Sequence, residues 1–86
     1  MTQEKVLPTE ICPEICIDAR GLNCPLPVLR LRKRLKDLPG GTIVELRATD
    51  RAALRDVPAF CEAQGHTVMD QAEEGQVLRF IIRKIS

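Results

Sequence analysis

Aromatic side chains are almost missing from this chain. Phe60 and Phe80 are the only two in 86 residues, and there is no tryptophan or tyrosine. Single-stranded nucleic acid is commonly held by bases stacked on exposed rings. Both phenylalanines sit in apolar runs that a core would claim, so direct nucleic-acid binding is not expected. No apolar run approaches the roughly 18–20 residues of a membrane span, and the opening Met1 to Pro8 has none long enough for a signal peptide. No membrane partner is therefore expected, and the chain is placed in the cytoplasm. A surplus of one charge is also lacking. Thirteen basic residues stand against twelve acidic ones, a net charge of +1 that points to no class of partner. There is one histidine, His66, at the start of an expected strand. No histidine close to Cys24 in the sequence offers a protease-type base.

The length is that of one small domain. A chain this short buries only about 60–65% of the surface exposed when unfolded, so it holds one modest core and no enclosed cavity. Any chemistry belongs on its surface. Residues 1–14 carry Pro8 and Pro13 without periodicity and read as a flexible leader. Residues 15–86 form a single domain.

Ile15, Ile17 and Ala19 alternate with Cys16 and Asp18, the pattern of a short strand. After a turn at Gly21, Val28, Leu31, Leu35 and Leu38 recur at helical spacing. Pro25 and Pro27 suit the first turn of that helix, where a missing N–H had no intrahelical partner. The helix therefore starts at or next to Pro25, with Cys24 at its cap. Residues 42–49 form a second strand, with Val44, Leu46 and Ala48 inward and Glu45 and Arg47 outward. Asp56 is expected to cap a second helix, with Pro58 in its first turn, Val57, Phe60 and Cys61 inward, and Gly65 just past its end. A strand over 66–71, a turn at 73–76 and a last strand over 77–85 follow. The order βαβαββ implies an α/β (α+β) two-layer sandwich: a four-stranded mixed sheet with two helices on one face.

Four cysteines in a reducing compartment are expected as thiols. Cys12 and Cys16 are spaced more widely than the usual zinc pair, and Cys24 and Cys61 supply no second pair, so no metal or other cofactor is expected. An extended segment would hold Cys12 and Cys16 roughly 13–14 Å apart, too far for a disulfide. A fold at Pro13 leaves a redox pair open. Cys61, on an apolar helix face, belongs to the core.

Cys24 differs from the rest. It follows a strand and a glycine turn and opens a helix, where the positive end of the helix dipole and free backbone N–H groups favour a thiolate. Such a position is expected to lower the pKa below that of a free thiol, and Arg20, close in sequence, to favour the thiolate further. The plain alternative is a small buried residue, as free cysteines often are. A cysteine that attacks without a built-in base suits thiol and persulfide exchange better than peptide hydrolysis. Arg30, Arg32, Lys33, Arg34 and Lys36 give the first helix five cations. They form either a solvated face or a docking patch for acidic partners. Asp50, at the end of the second strand, is either a turn cap or a neighbour of Cys24.

From Ile17-Asp18 through Gly21-Leu22-x-Cys24-Pro25-x-Pro27, Gly41, Asp50, Asp56-Val57-Pro58-x-Phe60-Cys61 and Gly65-His66 to Phe80-x-Ile82-Arg83-Lys84, the chain resembles the TusA (SirA-like) family of sulfur carriers. The resemblance implies a sulfurtransferase-type relay in which Cys24 holds sulfane sulfur as a persulfide. It would take that sulfur from a cysteine desulfurase or rhodanese and pass it to an acceptor protein, for tRNA thiolation, sulfur oxidation or molybdenum-cofactor supply. It also implies a site role for Asp50 near the cysteine, with Pro25, Pro27 and Arg20 supporting. The chain departs from the family pattern at Asn23, at Arg51 and in its extra leader cysteines, which bear on the partner rather than on the chemistry of Cys24. The competing functions are a regulatory or interaction module binding RNA or protein through the basic helix, and a thiol redox protein. Against the redox protein, Pro27 stands where a C-x-x-C motif would place its second cysteine.

Overall fold

The computed structural model describes residues 13–86. All of the expected leader except Pro13 and Glu14, and Cys12 with it, lies outside the described residues. The elements are β1 (Ile15–Ala19), α1 (Leu26–Lys36), β2 (Ile43–Ala48), α2 (Ala53–Gln64), β3 (Thr67–Glu74) and β4 (Val77–Arg83). They build one sheet in the order β1-β2-β4-β3, with β1 parallel to β2 and the other two pairings antiparallel. Parallel neighbours need a crossover, and α1 supplies it. The backbone N–H of Glu14 donates to the Ile43 carbonyl at 2.8 Å, which extends the β1–β2 contact by one residue.

Both helices lie on one face of the sheet. Leu31 and Leu35 of α1 and Val57 and Cys61 of α2 share one buried cluster with Ile17, Val44, Leu46, Leu78, Phe80 and Ile82 of the strands. Such alternation of apolar and polar positions is what a sheet covered on one face demands. Glu45 faces away from the helices, as expected, yet is only 6% exposed. It sits on a central strand, and Arg47 and Arg79 both reach its carboxylate, at 2.5 and 3.4 Å.

Several boundaries differ from the sequence-based expectation, and β4 ends at Arg83 rather than at 85. β3 runs to Glu74, which shortens the hairpin turn to Gly75 and Gln76. The N-cap of α1 is Pro25, so Cys24 stands one residue before the cap. The largest difference is at α2, which begins at Ala53, so Asp56 and Pro58 lie within the helix. The helix starts early because Asp50 organises the turn before it. Its Oδ1 accepts the Ala52 N–H at 3.1 Å and its carbonyl accepts the Ala53 N–H at 2.9 Å. The cap position of α2 is Ala52, without a side-chain cap bond; Asp50 closes the turn that leads into it, and the Asp56 carboxylate is left for another partner. At the far end, Gly65 adopts φ 86°, and the N–H groups of Gly65 and His66 close onto the carbonyls of Glu62 and Cys61.

Candidate functional site

The site forms where β1 and β2 end and both helices begin. β1 leads into a turn in which Gly21 takes φ 81° and donates its N–H to Thr49 Oγ1 at 2.9 Å. The Leu22 N–H returns to the Ala19 carbonyl at 3.2 Å, and the Leu26 N–H bonds the Asn23 carbonyl at 2.8 Å. These bonds hold the loop 20–25 against the end of β2 and lift Cys24 to the surface, where it is an exposed free thiol. The Cys24–Pro25 peptide is cis. Pro25 is exposed and Pro27 is buried, so the two prolines occupy opposite sides of the helix start.

Two carboxylates grip Cys24. Its backbone N–H donates to Asp50 Oδ2 at 2.5 Å, and its thiol donates to Asp56 Oδ2 at 3.0 Å. Asp50 therefore bridges the starts of both helices, one oxygen on Cys24 and the other on Ala52. Asp56 projects from the first turn of α2 and also accepts from Arg55 Nε, through Oδ1, at 3.2 Å.

This environment reverses the pKa expected for Cys24. The hydrogen bond to Asp56 pushes the thiol above the ordinary value, helped by partial desolvation and by the charges of Asp56 and Asp50, while Arg55 opposes. The same hydrogen bond from Cys24, with that from Arg55, pulls Asp56 below the usual carboxylate range. Nearby anions outweigh the partial charge of a helix terminus, which amounts to about half a unit. The leading N–H groups are also already engaged: Leu26 bonds Asn23, and Cys24 itself bonds Asp50. The resting group is a protonated thiol beside an ionised carboxylate.

Arg20 does not join the site. Its guanidinium forms a fork with Asp18, at 2.8 and 3.0 Å, and the cation that acts on Cys24 is Arg55. Arg30 of the basic helix is also committed, donating to the Asp18 carbonyl at 2.9 Å. Arg32, Lys33 and Lys36 line a groove of about 650 Å³ with Lys84, Phe60 and Ile85. His66 is structural in its contacts: Nδ1 accepts the Ile85 N–H at 3.1 Å and the ring lies 5.8 Å from that of Phe60. Cys61 is 1% exposed, and Cys16 is exposed on β1. Among the described residues, no group of three His, Cys, Asp or Glu side chains stands together as a metal site, and no helix is long and apolar enough to cross a membrane.

Asp56 and Arg55 are the residues that sequence reasoning missed. The signal was Asp50-Arg51-Ala52-Ala53: an aspartate followed by good helix formers marks a closed turn leading straight into a helix. A helix starting at Ala53 places residue 56 in its first turn, where its carboxylate reaches the Cys24 thiol.

Comparison with known proteins agrees with this architecture. Residues 15–84 match the family model described as sulfurtransferase TusA. The sulfur carrier protein TusA of Pseudomonas putida strain KT2440 is 38% identical over 76 residues, covering 88% of this chain and 95% of that protein. Two Bacillus subtilis proteins whose names propose sulfur carriers, YrkF and YrkI, are 40% and 41% identical over 70 and 68 residues. The match spans 91% of YrkI but only 38% of YrkF. The crystal structure of a SirA-like protein from Desulfitobacterium hafniense superposes with a TM-score of 0.73 at 26% identity, covering 84% of this chain and 99% of that one.

Proposed function

The chain belongs to the TusA family of sulfur carriers, and from that premise we propose that Cys24 is the atom-bearing residue, carrying sulfane sulfur as a persulfide between a donor and an acceptor protein. The observation that carries this reading is the placement of Cys24: a free, exposed thiol on a braced loop, with its amide fixed by Asp50. A carrier must offer its sulfur to two different active sites in turn, which calls for exposure together with fixed geometry.

The exchange balances without a further reagent. The Cys24 sulfur attacks the outer sulfur of a donor persulfide, a new S–S bond forms at Cys24, and the donor's own S–S bond breaks. The proton lost by the Cys24 thiol ends on the donor's released sulfur, so a thiol and a persulfide anion become a persulfide anion and a thiol. Delivery repeats the step with an acceptor. A cysteine desulfurase or a rhodanese is the donor class that fits, and acceptors in tRNA thiolation, sulfur oxidation or molybdenum-cofactor supply would take the product. Docking is supported by Leu26 and Leu29, each 48% exposed on the first turns of α1 after Cys24, and by the cations of the groove along the rest of α1, which favour an acidic partner surface. The reducing cytoplasm suits a carrier whose working group is a free thiol.

The test is sulfur transfer from radiolabelled cysteine through a desulfurase, with thermal melts run alongside. Cys24→Ser should acquire no label and keep its fold, because serine is nearly isosteric and its hydroxyl can still donate to Asp56. A Cys24→Ser protein that takes up label would defeat the assignment.

A further inference from the structure

We propose that Asp56 is a positioning residue that keeps the empty carrier idle: it holds the hydrogen of the unloaded Cys24 thiol until a partner protein brings a cationic or hydrogen-bond-donating group to its carboxylate. The role of the thiol as sulfur acceptor rests on the function proposed above; the hydrogen bond itself does not.

The geometry is specific. The donor is Sγ, the acceptor is Oδ2, and the separation is 3.0 Å. Asp56 lies one turn into α2, so its carboxylate is carried on a rigid element. Its side chain is 25% exposed, sheltered enough for the bond to matter and open enough for a partner to reach. The charges facing Cys24 are few. From the β2–α2 connection comes Asp50, and from α2 come Asp56 and Arg55. From its own loop, Arg20 is turned away into its pair with Asp18. Two carboxylates against one guanidinium disfavour a thiolate, and the thiolate is the attacking species. An exposed cysteine held in this way is also shielded from the alkylation and oxidation that follow thiolate character.

The restraint acts on one state only. In the empty carrier Sγ bears the hydrogen that Asp56 accepts. After loading, Sγ is bonded to the second sulfur and has no hydrogen to donate. The outer sulfur, when ionised, faces Asp50 and Asp56 as a third anion and is driven outward toward an acceptor. One carboxylate thus restrains attack by the empty form and favours presentation of the loaded one. A partner that pairs with Asp56 removes the acceptor and lowers the cost of ionising Cys24.

The experiment measures the rate of Cys24 alkylation by iodoacetamide against pH, read at the Cys24 peptide by mass spectrometry, in the full chain. In Asp56→Asn and Asp56→Ala the midpoint should move down and the rate at pH 7 should rise several-fold. Asp56→Glu should move it back toward the parent. Arg55→Gln, at a side chain 80% exposed, should move it up. A purely structural role would lower the melting temperature without these opposed shifts. In a second arm, small-molecule polysulfide at pH 7 should load Asp56→Asn several-fold faster than the parent, because no partner is then needed to release the thiol. Equal midpoints, or equal loading by polysulfide, would overturn the proposal. Shifted midpoints with no stable persulfide on any variant would leave the role of Asp56 standing and remove the carrier reading instead.

Discussion

Cys24 and Cys61 both hold their protons more tightly than a free thiol, and they do so by opposite means. Cys61 lies in the core on α2, and burial alone pushes it up to about 11. Cys24 stands in the open, and a carboxylate holds its hydrogen. A pKa raised by burial can be undone only by opening the fold. One raised by a hydrogen bond is undone by anything that occupies the acceptor. The two cysteines carry the same chemical group, one permanently silenced and one reversibly restrained. Only the second kind can serve a protein that must react on contact with a partner.

The sharpest way to break that comparison is to chemically probe both thiols in the native protein. Cys24 should alkylate at a pH-dependent rate, and Cys61 should stay unmodified until the chain unfolds. Stability should also separate them. The folded pKa of Cys61 lies above its unfolded value of 9.0, so its contribution is complete below that value and is lost as pH rises from there through about 11. Denaturant melts should weaken on that alkaline limb by about 3 kcal/mol. Cys61→Ala should flatten the limb, at the cost of a small cavity and lower stability at neutral pH. Native alkylation of Cys61 at a rate near that of Cys24 would show that burial does not silence it.

Much of this arrangement is legible in the sequence, and the parts that are not have physical reasons. Alternation in residues 15–19 and 43–48 and the helical spacing from Val28 to Leu38 mark elements whose faces match the buried cluster. Asp50 can be placed near Cys24 from topology, since both follow the ends of parallel neighbours. Asp56 cannot be reached in that way. Its contact with Cys24 depends on where α2 begins, and Pro58 pulls that boundary the wrong way, because proline prefers a first turn. Here the Asp50 turn and the alanines at 52 and 53 prevail, and Pro58 is accommodated five residues past the helix start. The sign of the Cys24 shift follows from the same error. With Asp56 read as a cap, the expected shift rests on the helix terminus and Arg20, and both favour the thiolate.

Asp50 gives a finer test, because it touches Cys24 without touching the thiol's hydrogen. Asp50→Ala removes the acceptor for the Cys24 and Ala52 N–H groups. The loss of a turn-closing carboxylate costs about 1 kcal/mol, as the loss of a cap does, and the Cys24 loop loses its tie to α2. Sulfur transfer to an acceptor should slow by more than the melting curve moves, since the loop presents the sulfur. Asp50→Asn keeps an acceptor oxygen for one of the two N–H groups and should fall between. Equal losses in transfer and stability would make Asp50 a turn residue and nothing more.

The smallest effect belongs to the acid limb, and it bears on the Cys24 end alone. Asp56 is held below the usual carboxylate range, first by the Cys24 hydrogen bond and then by that of Arg55. Asp18 is held down to about 2, chiefly by hydrogen bonds from the Arg20 side chain and backbone. Both folded values lie below the unfolded 3.8. Their stabilising contribution is therefore present above about pH 4 and is lost as pH falls through each folded value, which for Asp18 is about 2. Both groups are solvent-accessible and screened, so the melting temperature should fall by no more than about a few degrees from them. Asp18→Asn should remove its share without touching Cys24. Asp56→Asn should remove the other share and, in the same protein, lower the midpoint for alkylation of Cys24. Cys61 should be indifferent to both, since no carboxylate contributes to its shift. An acid limb that Cys61→Ala altered as strongly as Asp56→Asn would mean that the two thiols are coupled through α2, which carries both Cys61 and the Asp56 that holds Cys24, and that the restraint on Cys24 is not local.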